Sequence, residues 1–294
     1  MSVRLDRLVF GDNQFFGVNH MSEGKARAQA QRFDRIEAIT AVLDGAVDEG
    51  IGTFACTTHD RIAAVCEHLR AQPARYAGFR VLPCMPYAHK YADAVTERGM
   101  LGAVRQFLPD GGLLDAAIKG GQALLHKDVA GVATLLVDAE MKMFEGLETP
   151  VIFLQNVLVD LLLGLGAHDG FTIFAEHVRR RYGAAPGFMT MNLPMLAPVL
   201  SRLGIDEPIV AANYNAIGFR MCGGVEAYRR VMGEHRVRLV AMSVFASGAI
   251  EPERALDWVC AEPQVESILF GASTIENIRA TRQLVEARWS VAAE

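Results

Sequence analysis

The stretch from Val237 to Glu286 reads VRLVAMSVFASGAIEPERALDWVCAEPQVESILFGASTIENIRATRQLVE and contains one pattern twice. A short β-rich run begins at Val237, and a second begins at Glu266. Each run is followed by a small loop and then by a longer amphipathic segment. Apolar, β-branched runs that alternate with helical periodicity are typical of βα units around a parallel sheet. The stretch therefore predicts two consecutive βα units.

The same pattern extends outward over the rest of the chain. The segment from Arg32 to Gly50, for example, carries apolar residues at helical spacing and ends in a glycine suited to a helix C-cap. Eight β-rich runs are predicted as strands: RLVFGDN from Arg7, TFACT from Thr53, FRVLPCM from Phe79, VIFLQN from Val151, GFMTMN from Gly187, PIVAAN from Pro208, VRLVAMS from Val237 and ESILFG from Glu266. Eight units predict an α/β protein, a (β/α)8 TIM barrel that forms a single domain over residues 1–294.

One interval breaks the alternation. Roughly 65 residues separate Pro86 from Pro150 without a convincing strand, far more than a usual connection. Segments such as LLDAAIKGGQALLHK and VAGVATLLVDAEMKMFEGL have helical character. We therefore predict a helical insertion between strands 3 and 4, at about 91–149, which either covers the barrel mouth or forms an oligomer contact.

Composition limits the classes of partner. The chain has 294 residues, of which 51% are hydrophobic and 21% charged, with a formal net charge of -5. Such a composition predicts a globular protein, and its scattered basic residues give no electrostatic footprint for nucleic acid. We expect a small-molecule substrate, with a homo-oligomer left open.

The sequence also argues against membrane and disulfide classes. The most apolar run, from Thr149, is interrupted by Gln155, Asn156 and Asp160, so no membrane span is expected. Charged residues arrive early at the N-terminus, which predicts no signal peptide and a cytoplasmic location. Five cysteines without C-x-x-C spacing argue against a disulfide framework and a structural zinc site.

Polar side chains follow the predicted strands, where a barrel places its active site. The candidates for acid and base catalysis are Asp12, His59, Asp60, Tyr87, His89 and Lys90. The candidates for binding substrate or cofactor are Asn13, Gln155, Asn156, Asn192, Asn213 and Ser243. Imidazole, phenol, amine and carboxyl groups can all transfer protons, which favours acid–base chemistry. Several of these residues are equally typical of turns and helix N-caps, and the set predicts no metal centre.

The loop after the last predicted strand offers a second type of site. Gly271, Ser273 and Thr274 precede a predicted helix, and Arg279 and Arg282 follow within it. Free backbone N–H groups at a helix start bind anions, and barrels often hold phosphate after strands seven and eight. The alternative is an ordinary capped helix.

Several segments together resemble the aldo-keto reductases. The stretch that starts at Val237 is similar to the family's strand, P-L-A-x-G loop, A-L-x-W helix and G-A-S-x-x-E-x-I cofactor loop. NYNAIGFR from Asn213 is similar to Y-N-L-x-x-R, GFMTMN from Gly187 to a G-x-S-N strand end, and EGIGTFACTTHDRI from Glu49 to G-x-x-x-F-D-T-A-x-x-Y-G. The resemblance covers nearly the whole chain except the insertion and implies a barrel of aldo-keto reductase type.

The family transfers hydride from a nicotinamide dinucleotide with an Asp, Tyr, Lys and His tetrad, and this chain departs from all four positions. They fall on Ala55, on His59 or Asp60, on Cys84 or Met85, and on Gln155 or Asn156. The family's stacking tyrosine falls on Met242. The resemblance does retain Asn192 at the carboxamide position and Gly271, Ala272, Ser273 and Asn277 in the cofactor loop. The resemblance therefore leaves NADP(H) open as a cofactor.

Three functions follow from these observations. The favoured hypothesis is an enzyme that uses acid–base chemistry, a lyase, dehydratase or isomerase, on a small carbonyl, polyol or phosphorylated compound. The first alternative is an NAD(P)H-dependent oxidoreductase with a relocated proton donor, and the second is a non-catalytic ligand-binding protein. Polar groups at a barrel mouth cost stability unless they are used, which favours catalysis.

Overall fold

A computed structural model describes residues 3–17, 22–87 and 128–291. Eight parallel strands form a closed barrel in chain order, with β8 paired to β1. The strands are β1 (Leu8–Gly11), β2 (Thr53–Thr57), β3 (Arg80–Met85), β4 (Val151–Leu154), β5 (Ala185–Thr190), β6 (Ile209–Asn213), β7 (Arg238–Met242) and β8 (Val265–Phe270). This arrangement confirms the predicted (β/α)8 barrel. Each strand overlaps one of the eight predicted runs, although β5 begins two residues and β8 one residue before its run.

Helices follow the strands and form the outer layer. In the described ranges they are α1 (Glu23–Arg32), α2 (Ile36–Asp48), α3 (Asp60–Ala71), α4 (Asp128–Met141), α5 (Asn156–Gly164), α6 (Asp169–Tyr182), α7 (Leu193–Arg202), α8 (Gly224–Glu234), α9 (Pro252–Cys260) and α10 (Ile275–Val291). Short 3-10 turns lie at Asn13–Phe16, Lys142–Phe144 and Ala246–Gly248. Within residues 3–17, 22–87 and 128–291, no helix combines the length and apolar character that a membrane crossing requires.

Most of the predicted insertion lies outside the described residues. From Asp128 onward it forms α4, which packs against α6 and strand β3. The helix therefore belongs to the layer around the barrel, and its last turn lies near the end of β3. The part of the predicted insertion at 91–127 lies outside the described residues. Its two predicted roles, as a cover over the barrel mouth or as an oligomer contact, stay predictions.

Alternate side chains of each strand point into the barrel and out to the helices. The inner set is apolar and includes Val9, Ala55, Leu82, Phe153, Met189 and Val240. Gly187 makes room for the largest of these, since a Cβ there would lie 2.4 Å from the Phe153 ring. Side chains thus fill the barrel as a packed core, which leaves the carboxyl ends of the strands to carry the polar groups.

Candidate active site at the carboxyl ends of the strands

Asp12 is a buried carboxyl group directly after β1. Its side chain is only 5% exposed. Its Oδ2 accepts two hydrogen bonds from Thr57 at the end of β2, one from the backbone N–H and one from Oγ1, both at 2.7 Å. Burial outweighs these bonds and raises the pKa of Asp12 to about 6. The group is therefore mostly ionised near pH 7 and remains basic enough to take up a proton.

Tyr87 follows β3 on the same side of the mouth. Its partial burial and the nearby charge of Asp12 raise the pKa of its phenol above the ordinary value. A raised pKa keeps the phenol protonated at neutral pH. Asp12 and Tyr87 thus place a proton acceptor and a proton donor within electrostatic reach of one another.

His59 is the third group at this rim. It is the N-cap of α3, and its Nδ1 accepts a hydrogen bond of 3.2 Å from the backbone N–H of Arg61. Its ring stacks on Phe16 at 4.1 Å between centroids and lies 6.1 Å from the Tyr87 ring. Because Nδ1 accepts a hydrogen bond, the neutral imidazole carries its proton on Nε2.

Glu140 joins this group from α4, and the sequence analysis missed it. It is 3% exposed and accepts hydrogen bonds from Thr58 Oγ1 at 2.5 Å and from the backbone N–H of Tyr87 at 3.2 Å. Burial and the charges of Asp12 and Glu140 raise the pKa of Cys84, so both carboxyl groups lie near the end of β3. The position of Glu140 was an available signal. It lies three residues after Val137, which is fully buried, and so falls on the apolar face of the helix.

Other predicted site residues lie elsewhere or outside the described ranges. His89 and Lys90 fall among the residues that the structure does not describe. Asp60 and Asn13 are exposed. Gln155 is buried at the start of α5, where its backbone N–H donates to the Met85 carbonyl at 3.0 Å, and Asn156 is the first helical residue.

Three predicted binding residues use their side chains to shape the loops. Asn192 caps α7, with Oδ1 accepting from the Met195 N–H at 3.3 Å. Asn213 donates through Nδ2 to the Arg220 carbonyl and accepts from Ser243 Oγ, both at 2.8 Å. The Asn192 bond is that of an ordinary helix cap, which the sequence also allowed. The bonds of Asn213 join the end of β6 to the end of β7 and to the loop after β6.

The loop after β8 has its charged neighbours already paired. Thr274 caps α10 by accepting from the Asn277 N–H at 3.2 Å. Arg279 lies 2.7 Å and Arg282 3.5 Å from the carboxylate of Glu49, and the pairing with Arg279 lowers the pKa of that carboxyl. The cations that would attract an anion here are neutralised in part by an acid from the end of α2.

Comparison with known proteins supports the fold. No protein-family model and no curated protein sequence matches the chain. Among solved structures, a protein assigned as an aldo-keto reductase from Pseudomonas aeruginosa superimposes with a TM-score of 0.60 at 13% identity, over 96% of this chain and 90% of that one. A thermostable aldo-keto reductase crystallised with the inhibitor epalrestat gives 0.58 at 13% identity, over 98% and 94%. The chain therefore has the barrel fold of aldo-keto reductases.

The nicotinamide dinucleotide implied by this fold does not fit the residues present. The Asn192 amide caps its own helix, and Met242 stands where the resemblance expects an aromatic ring. Ser273 accepts a hydrogen bond of 3.4 Å from Gln29 Nε2, so α1 lies against the loop that would carry the cofactor. Within the described ranges, no group of three or more His, Cys, Asp or Glu side chains is placed to hold a metal ion.

Proposed function

We propose that the protein is an acid–base enzyme, an isomerase or dehydratase, that acts on a small polar carbonyl compound. Asp12 removes a proton from the carbon next to the carbonyl group. The electron pair of that C–H bond forms a C=C bond, and the carbonyl oxygen takes up a proton from Tyr87 to give an enol. An α-hydroxy substrate gives an enediol, whose second hydroxyl returns a proton to the Tyr87 phenolate while Asp12 delivers its proton to the former carbonyl carbon, which completes an isomerisation. In a β-hydroxy substrate the hydroxyl instead leaves as water with the proton from Asp12, and the enol oxygen returns its proton to Tyr87.

The buried carboxyl of Asp12 at the mouth is the observation that carries this proposal. A general base works best when its pKa lies near the working pH, and burial raises the pKa of Asp12 to about 6. The hydrogen bonds from Thr57 hold the carboxylate in one orientation. A site of this kind can abstract a proton without a redox cofactor.

Tyr87 and His59 support the acidic half of the reaction. The phenol stays protonated near neutral pH because its pKa is raised, and its backbone is held by Glu140. The imidazole is oriented by its bond from Arg61 and by the Phe16 ring. Donors held rigidly at a developing oxyanion stabilise a transition state more than flexible ones do.

The experiment is proton exchange in D₂O, followed by NMR, with dihydroxyacetone, erythrulose and fructose as probes. The wild-type protein should catalyse deuterium incorporation next to the carbonyl of at least one probe. Asp12→Asn should lower the exchange rate by about a hundredfold or more, because a general base contributes that order of rate. The rate should rise with pH through about 6, as Asp12 ionises.

Asp34→Asn provides the matched control. Asp34 is an exposed acid outside the candidate site, so this substitution should leave the exchange rate unchanged. Exchange that is equal in wild type and Asp12→Asn would remove Asp12 from the mechanism. Binding of a probe without any exchange would favour the alternative of a non-catalytic ligand-binding protein.

A further inference from the structure

Gln14 has its side-chain amide fixed at the mouth beside β1. The residue is 5% exposed and lies in the 3-10 turn that follows β1. Its Nε2 donates to the carbonyl oxygen of Gly11 at 2.7 Å. Turning the amide over would bring two carbonyl oxygens together, so this bond sets the orientation of the side chain. The Oε1 atom therefore points away from β1.

The Oε1 atom of Gln14 is a buried acceptor that has no hydrogen-bond partner in the part of the chain that the structure describes. It lies next to the end of β8, where a Cβ on Gly271 would be only 2.2 Å from it. Gly271 itself is exposed. The exposed residue Gly271, just after β8, therefore packs directly against this buried acceptor. An unsatisfied buried acceptor destabilises the folded protein, and a hydrogen bond from a ligand's donor would recover that cost.

Acceptors dominate this edge of the mouth. The side chain of Gln29 donates a hydrogen bond from Nε2 to Ser273 Oγ. Its buried Oε1 accepts no hydrogen bond from any residue in the described ranges. Asp12 adds a carboxylate at the end of β1. The arginines of α10 are paired with Glu49. An anion would meet oxygen acceptors here, whereas a hydroxyl group can donate to them.

We propose that the β1–β8 edge of the mouth is a hydroxyl-binding subsite in which Gln14 Oε1 accepts a hydrogen bond from a neutral, polyhydroxylated substrate. The ligand enters beside Gly271, whose main chain shifts to uncover Oε1. This proposal rests on the proposed function for the carbonyl part of the substrate. It narrows the substrate class to hydroxycarbonyl compounds and places phosphorylated compounds outside it.

Binding of two probes tests the subsite separately from turnover. Erythrulose and 1-hydroxy-2-butanone share a four-carbon hydroxyketone frame, and the second lacks two hydroxyl groups. Titration by NMR of Asp12→Asn protein, which is expected not to turn the probes over, should show tighter binding of erythrulose. Gln14→Leu added to that protein should reduce this preference by about fivefold to tenfold, the effect of one neutral hydrogen bond. Gln31→Leu, the same change at an exposed position of α1, should preserve it.

Each other outcome contradicts the subsite. A preference for erythrulose that survives Gln14→Leu would assign recognition to other residues. Equal binding of the two probes would remove the hydroxyl preference, and inorganic phosphate that competes with erythrulose would show an anion site instead.

Gly271→Ala gives a second test. The added methyl group must displace Gln14 Oε1, so this substitution should weaken the binding of erythrulose more than that of 1-hydroxy-2-butanone. If the wild-type protein catalyses no proton exchange, the proposed function is contradicted. The ratio of erythrulose binding to 1-hydroxy-2-butanone binding tests the subsite independently of that result.

Discussion

Asp12 shows how one residue acquires its chemistry from its surroundings. In water its carboxyl would ionise with a pKa of 3.8, whereas in the barrel it ionises at about 6. Removal from water disfavours the charged form, and the two hydrogen bonds from Thr57 offset only part of that cost. The folded protein therefore holds a proton on this group more tightly than the unfolded chain does.

This difference predicts a pH dependence of stability. Because the folded-state pKa is raised, the unfolded chain ionises first as pH rises from 4 to 6, and the free energy of unfolding falls in that window. The shift from 3.8 to about 6 corresponds to about 3 kcal/mol, fully expressed above pH 6. Urea unfolding at pH 4, 5, 6 and 7 should show that Asp12→Asn removes this component.

Asp34→Asn again serves as the control in these unfolding curves, since an exposed acid should not change the pH profile. A wild-type profile that runs parallel to that of Asp12→Asn across the whole range would show that Asp12 titrates as it does in water.

Among the secondary-structure elements, α4 makes the contact that matters most for the site. Its last turn brings Glu140 to Thr58 and Tyr87, so a crossover helix completes the rim formed by β2 and β3. The same helix is anchored to α6 by Asp138, whose Oδ1 lies 2.7 Å from His177 Nε2 and accepts from the Tyr182 hydroxyl. Helix α4 thus links the outer layer to the candidate site.

Removing the Glu140 carboxylate should destabilise the protein. Glu140→Ala leaves the buried Thr58 hydroxyl and the Tyr87 N–H without this acceptor, which should lower the free energy of unfolding by about 1–3 kcal/mol. Glu140→Gln keeps an acceptor and should cost less. Chemical denaturation monitored by circular dichroism measures both changes.

Glu145→Ala is the matched control for this helix end, because Glu145 is exposed just beyond the following 3-10 turn. If Glu140→Ala were no more destabilising than Glu145→Ala, the bonds from Glu140 to the rim would carry no net stability.

At the scale of the whole molecule, the fold and the site lead to different expectations. The barrel superimposes on an aldo-keto reductase over 96% of the chain. The contacts of Asn192 and Arg279, however, do not fit the nicotinamide dinucleotide that the family resemblance implies. Function belongs to the site rather than to the fold, since one barrel architecture supports many reactions. The chain is therefore expected to share the architecture without sharing the hydride chemistry.

Titration with NADPH and NADH tests this expectation. Cofactor fluorescence should show no saturable change, because Arg279 and Arg282 are paired with Glu49 and Asn192 caps its own helix. Glu49→Gln would free Arg279, whereas Arg282 keeps its ion pair with Glu286. Cofactor binding gained in this variant would assign the misfit to the Arg279–Glu49 pair rather than to Asn192. Saturable binding to wild type that is weakened by Asn192→Ala would contradict the misfit and restore the oxidoreductase alternative.

The sequence by itself determined the eight βα units, because the periodicity of apolar residues is a local property of the chain. It also placed Asp12, His59 and Tyr87 after strands, and the closed barrel brings those strand ends to one face. The absence of the reductase tetrad, with Ala55 at its aspartate position, stays a prediction from the family resemblance. These features depend on residue type and spacing alone.

Only the tertiary structure decided which polar groups meet. The bond from Thr57 to Asp12 spans 45 positions, that from Thr58 to Glu140 spans 82, and that from Arg279 to Glu49 spans 230. Gln14 and Gly271 likewise come together only because β8 closes on β1. A pKa or an orphaned acceptor depends on burial and on neighbours distant in sequence, which local patterns do not encode.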